Sequence, residues 1–147
     1  MLEIRRIMAL STAAAFLGCS AMFQTVQPRW PALPDAHFMH VGDYLQVTGT
    51  GTAAKPVSSE TQRRSESRDA ALLDAWERLG GYLEVLIVRG KGTVGDMSRG
   101  SDEFRGELDR LVYSAKVVST QWEQGTAIVI IRLDKGRVNK TLGTDYR

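Results

Sequence analysis

One cysteine, two histidines and four prolines occur among the 147 residues, and each scarcity excludes something. A lone Cys19 closes no disulfide within the chain. The two histidines, His37 and His40, both lie in a proline-bearing stretch with no second ligand cluster, so no zinc site and no histidine-based catalytic pair is expected. Charge of one sign is also missing. Nineteen basic against seventeen acidic side chains leave +2, which argues against a nucleic-acid partner. The pair Arg63-Arg64 reads as part of a solvated helix face rather than a phosphate-binding patch. Glycine is present, but not in nucleotide-binding order. Gly49-Thr50-Gly51 lacks the third glycine and the immediate helix of a dinucleotide loop. Gly90-Lys91-Gly92-Thr93 lacks the upstream glycine of a phosphate loop and carries Gly after its lysine. No cofactor and no metal are expected.

The bulk composition bounds the rest. An apolar share of 43% and a charged share of 24% suit one ordinary folded domain, not a disordered chain.

The longest early apolar run is Ile7 to Leu17, preceded by Arg5 and Arg6 and followed by Gly18-Cys19. A basic start, an apolar middle and a small residue before the cut are the three parts of a secretory signal. Eleven helical residues span roughly 16 Å, about half of a ~30 Å hydrocarbon core, so the run engages an export machine without spanning a bilayer. Phe16-Leu17-Gly18-Cys19 resembles the lipobox of bacterial lipoproteins, with Phe16 where Leu, Val or Ile is usual. That resemblance implies cleavage after residue 18 and acyl chains, palmitate among them, on Cys19. Lipidation also removes the otherwise unpaired thiol from an oxidising compartment. One acyl chain binds a membrane marginally, whereas the several chains the resemblance implies anchor it firmly. The same lipoprotein resemblance implies the outer membrane, because Ser20 stands where an Asp in that family signals inner-membrane retention. Without residues 1–18 the chain keeps seventeen basic and sixteen acidic groups, a net of +1 that offers little repulsion between copies.

From Cys19 to residue 40 the chain reads as a tether. Pro28, Pro31 and Pro34 give it an extended character, and Ser20 to His40 reaches about 65 Å at ~3.3 Å per residue. Folding signals begin near residue 41 and run to 136, with residues 137–147 expected as a frayed polar tail. Tyr44-Leu45-Gln46-Val47-Thr48 alternates as a strand, and the glycines after it suggest a bend or bulge. Ser59 and Gln62 fit a capping box opening a long helix. Leu72, Trp76, Leu79, Leu83 and Leu86 form its apolar stripe, flanked by Ala70, Ala71 and Ala75 where another backbone can come close. Gly80-Gly81 suggests a kink or a close contact. Residues 89–101 read as a glycine-rich mobile loop. Ser101 then caps a short helix with Phe104, Leu108 and Leu111 facing in. A hairpin closes the domain, turning at Gln124-Gly125. Val118, Thr120 and Trp122 share a face of its first strand, with Trp122 and Trp76 expected to be buried. Ala127, Val129, Ile131 and Leu133 share one face of the second strand, and Ile128 and Ile130 lie on the other. The expected class is α+β: a small antiparallel sheet of about three strands against one long helix, plus a short second helix.

Thr48-Gly49-Thr50-Gly51, the run Arg68-Asp69-Ala70-Ala71-Leu72-Leu73-Asp74-Ala75, and Val118-Ser119-Thr120-Gln121-Trp122 occur here in that order behind the export signal. Together they resemble the small outer-membrane lipoprotein family that includes FlgP, and the related N-terminal domain of FlgT, over roughly residues 43–135. The resemblance implies a helix-on-sheet fold and a structural role in rings or disks around the flagellar motor, at the periplasmic side of the outer membrane. It carries no catalytic residues, and only Cys19 transfers, as the lipid site.

Three functions compete. A self-associating envelope scaffold comes first, with flagellar motor or other envelope proteins as partners. A lipid-anchored module binding a small ligand or cell surface comes second. An enzyme comes last: Asp69 and Asp74 are five residues apart and face differently on a helix, and Asp102 and Glu103 suit a helix start better than acid–base work. The second apolar strand face, Ile128 and Ile130, needs a cover. A second copy is the expected one, with the tether folding back over it, through Trp30 or Phe38, as the alternative.

Overall fold

Two alternating segments, one on each side of the long helix in sequence, build the centre of a sheet and leave the helix to cover it. In the computed structural model, residues 27–54 and 59–147 are described. The expected export signal, Cys19 and the first part of the tether lie outside the described residues. In chain order the elements are β1 (Phe38–Val41), β2 (Tyr44–Thr52), α1 (Glu60–Glu84), β3 (Ile87–Val88), β4 (Gly92–Thr93), α2 (Val94–Gly100), α3 (Asp102–Tyr113), β5 (Lys116–Glu123), β6 (Thr126–Asp134) and α4 (Lys135–Leu142). The class is α+β. The main sheet has four strands in the order β1-β2-β6-β5, all antiparallel, with β3 and β4 forming a separate two-residue ladder.

β6 is central, and its alternation is complete: Ala127, Val129, Ile131 and Leu133 are buried, while Ile128, Ile130 and Arg132 are half-buried on the other face. Register places Leu45, Val47, Gly49 and Gly51 of β2 beside the buried set. The β5–β6 turn has φ 48° at Gln124 and 84° at Gly125, the positive pair that a two-residue hairpin turn needs to match strand twist.

α1 lies across β2 and β6 on this inner face. Its buried residues are Ser67, Ala71, Ala75, Leu79, Tyr82 and Leu83, so the stripe is turned about one residue from the expected one. Leu79, Leu83 and Leu86 are in the core, but Leu72 and Trp76 are half-buried at its flank. The reason is close approach. A Cβ on Gly49 would stand 2.1 Å from the Ala71 carbonyl, and one on Gly51 would stand 2.2 Å from the Ala71 amide. The glycines therefore do not mark a bend. β2 keeps its register straight through them, and their missing side chains let the alanine face of α1 sit on the strand.

Other expectations are corrected. Gly80-Gly81 lies inside an uninterrupted helix, with nothing within 4 Å of a Cβ at Gly81. Ser59 is the N-cap of α1 but makes no side-chain cap bond, so the capping box is absent there. It occurs instead at α2, where Thr93 and Asp96 bond each other's backbone amides. The expected mobile loop is thus mostly β4 and a capped helix. Ser101 does cap α3, accepting from the Phe104 amide, and Leu108 and Leu111 are buried as expected.

Both domain boundaries move outward. Phe38, taken as tether, is a buried strand residue, and Trp30 and Leu33 pack against the core. The expected frayed tail is α4 plus a short return: Val138, Leu142 and Tyr146 are buried, and Asn139 binds the backbone of Tyr146 in both directions. Tether and tail meet. The Arg147 amide donates to the Pro28 carbonyl at 3.1 Å, the Trp30 and Tyr146 rings are 5.4 Å apart, and the Tyr82 hydroxyl donates to Pro31 at 3.0 Å. Polar composition hid both segments, because each contributes only a few large side chains to a core built elsewhere.

Candidate functional site

With α1 on the inner face of the sheet, the strands form the outer face among the described residues. Directly paired residues share a face. Ile128 therefore neighbours Thr50 and Gln121, and Ile130 neighbours Thr48 and Ser119. Gln46 flanks Arg132 and accepts from its Nε at 2.9 Å. Towards the β1–β2 turn, Tyr44 and Met39 share this face and are 45% and 54% exposed. The result is a shallow surface with two isoleucines at its centre, a hydroxyl and amide surround, and an aromatic and thioether corner.

Sequence reasoning found Ile128 and Ile130 but missed Met39 and Tyr44. Tyr44 was legible, since it precedes Gln46 and Thr48 on the same alternation. Met39 was hidden because its strand was read as tether. The alternative cover for the isoleucines fails for the described part of the tether. Phe38 pairs with Val47 on the inner face, and Trp30 packs by Tyr146 and His40, so this segment packs at the end of the core and not over the half-buried Ile128 and Ile130.

The expectation of two buried tryptophans also needs correction. Trp122 is 43% exposed. It points to the inner face, opposite Ala127, but β5 is the edge strand and α1 covers β2 and β6. The Arg64 guanidinium lies 5.8 Å from the Trp122 ring centre, a cation–π contact. Arg63 and Arg64 both also pair with Glu60 of the same helix. Trp76 sits between α1 and α3, edge-on to Tyr113 at 5.0 Å, with its indole Nε1 buried and without a hydrogen-bond partner.

The acids considered for catalysis are placed apart. Asp74 accepts from the Thr50 amide at 2.9 Å and from Arg78 Nε at 3.0 Å. Asp69 is exposed on α1 beside Arg68, and Asp102 and Glu103 occupy the first turn of α3. The perturbed groups are dispersed. Burial, with Tyr146 nearby, pushes the Tyr82 phenol up to about 12. Desolvation and then Lys135 lower His40. Hydrogen bonds from Thr93 and Arg99 lower Asp96. The Asp74 hydrogen bond raises Arg78. Among the described residues no three His, Cys, Asp or Glu side chains are grouped to hold a metal ion, and no helix is long and apolar enough to cross a membrane. A surface depression of about 480 Å³ lies at the α2–α3 junction among Met97, Ser101, Glu103, Phe104 and Glu107.

Compared with known proteins, the chain matches no family model and no curated sequence.

Proposed function

We propose that this protein is a non-enzymatic envelope scaffold, lipid-anchored through Cys19 at the periplasmic side of the outer membrane, that associates with copies of itself. The observation that carries the reading is the outer sheet face, with the half-buried Ile128 and Ile130 at its centre, over which no described helix or tether residue is laid. Burying an exposed aliphatic side chain is worth about 1.5–3 kcal/mol, and a half-buried one recovers a fraction of that. Such an interface is weak alone. Anchoring in a membrane plane raises the effective concentration of copies, so weak contacts suffice there. A ring or disk at the flagellar motor is the setting that the sequence resemblance implies.

A second reading, a lipid-anchored binding module, is favoured by the α2–α3 depression, whose Met97 and Phe104 offer an apolar floor between Glu103 and Glu107. Assembly state separates the two: a scaffold forms defined oligomers, a binding module stays monomeric. The anchor is tested by Cys19→Ser, which abolishes acyl labelling and leaves the precursor uncut. Normal labelling and membrane retention of that variant contradict the lipoprotein reading.

A further inference from the structure

The two edges of the sheet are not alike. On one side β1 is only four residues long, and the last backbone bond to β2 from this segment is the Thr48 amide donating to the His37 carbonyl at 2.8 Å. Beyond it, the free edge of β2 is met by side chains from α1: the Thr50 amide donates to Asp74 and the Ala53 amide to Ser67 Oγ at 3.0 Å. On the other side β5 pairs with β6 alone along eight residues, and no other described strand lies against it. Val117, Val118 and Trp122 on this strand are 39%, 47% and 43% exposed. An open edge with apolar side chains is a template for another strand.

The order of residues along β5 says which strand. Its ends are Lys116 and Glu123, and among the described residues neither forms an ion pair. Lys116 instead stands directly opposite Arg132 of β6, a like-charge neighbour that disfavours it. In a regular strand, residues seven apart point to opposite faces, so these two ends could never meet across a two-fold axis. β5 is not regular. An extra residue at Val118 shifts the register between Val117 and Ser119. Pairing with β6 therefore puts Lys116, Ser119, Gln121 and Glu123 on the outer face, and Val117, Thr120 and Trp122 on the inner one. Laid antiparallel on itself about Thr120, the strand now matches at every rung. Ser119 meets Gln121, the bulged valines meet Trp122, and Lys116 meets Glu123.

We propose that β5 pairs with β5 of a second copy about a two-fold axis at Thr120, joining two four-stranded sheets into one of eight strands. The bulge and the terminal charges give the edge its selectivity, because another register or another strand would oppose like charges or mismatch the faces. This contact is separate from the Ile128–Ile130 face, and two self-complementary contacts on one molecule allow growth beyond a dimer.

Charge exchange in the full-length chain, held in mild detergent and followed by sedimentation equilibrium, tests the pairing. Lys116→Glu or Glu123→Lys each alters two symmetry-related pairs and weakens dimerisation about tenfold; the double exchange restores it to within about threefold. In a Cys19→Ser background, Thr120→Cys cross-links to itself under mild oxidation, because facing residues of antiparallel strands lie about 4.5–5.5 Å apart at Cα, within disulfide reach. A Thr61→Cys control on α1 does not. The proposal is overturned if Thr120→Cys links no faster than the control, or if single and double exchanges behave alike. If Ile128→Glu alone dissolves all association while the charge exchanges do nothing, the sheet face is the only contact and the edge pairing is wrong. Loss of edge pairing with face-dependent assembly intact refutes this inference and leaves the proposed function standing.

Discussion

The backbone amide of Thr50 donates to the carboxylate of Asp74 at 2.9 Å, tying an edge of β2 to the helix that lies over it. The bond exists because Gly49 and Gly51, on either side of Thr50, let α1 approach to backbone contact. Asp74 in turn holds Arg78, whose guanidinium also reaches Asp35 of the tether at 3.5 Å. One short sequence motif thus fixes the helix, the strand and the docked tether together.

Gly49→Ala is expected to destabilise the fold by about 3 kcal/mol or more, since its Cβ meets backbone atoms that cannot give way. Gly81→Ala, inside the same helix with open space around it, is expected to be neutral or to stabilise by up to about 1 kcal/mol. Denaturant unfolding of both variants checks the contrast. Equal effects would mean that α1 does not rest on β2 as described.

The tryptophans separate in the same kind of measurement. Trp76→Ala removes a half-buried ring packed on Tyr113 and is expected to lose about 2–3 kcal/mol, below the full-burial range. Trp122→Ala, on the open edge, is expected to lose less than about 1 kcal/mol in the monomer. Acrylamide quenching of the remaining fluorescence should be weaker when Trp122 is the one removed.

Much of this was legible beforehand. The hairpin, the α3 cap and the alternating faces of β6 follow from period and turn chemistry, because short-range patterns decide them. The G-x-G was read as a bend, since a glycine in a strand looks alike from sequence whether it turns the chain or admits a neighbour. Asp74 gave no signal of its own beyond its place beside the alanines. Trp122 misled because alternation fixes which face a residue takes, but not whether its strand is central or at the edge. The tail was read as frayed because Val138, Leu142 and Tyr146 are spaced among charges, and their burial depends on a site formed by distant residues.

The tail gives a further expectation. Leu142→Ala should lose about 2–4 kcal/mol, and deletion of residues 137–147 should prevent stable folding, as followed by thermal unfolding. A truncated chain as stable as the full one would restore the frayed-tail picture.

Tyr82 links pH to tether docking. Its folded-state value, about 12, lies above the ordinary 10.0, so the neutral phenol is favoured by the fold. That contribution is complete below pH 10 and is lost as pH rises towards 12. Tyr82→Phe should remove an absorbance step near pH 12, flatten the alkaline fall in stability and lose the bond to Pro31, worth about 1 kcal/mol at neutral pH. An unchanged alkaline titration would contradict the burial of this phenol.

The most direct measurement of the central claim is sedimentation equilibrium of the full-length chain in mild detergent, wild type beside Ile128→Glu, with circular dichroism to show that both are folded. Self-assembly through the outer face predicts wild-type species larger than a dimer, and a folded Ile128→Glu variant confined to dimer or monomer. A wild-type protein that sediments as a monomer at every concentration reached would contradict the scaffold account.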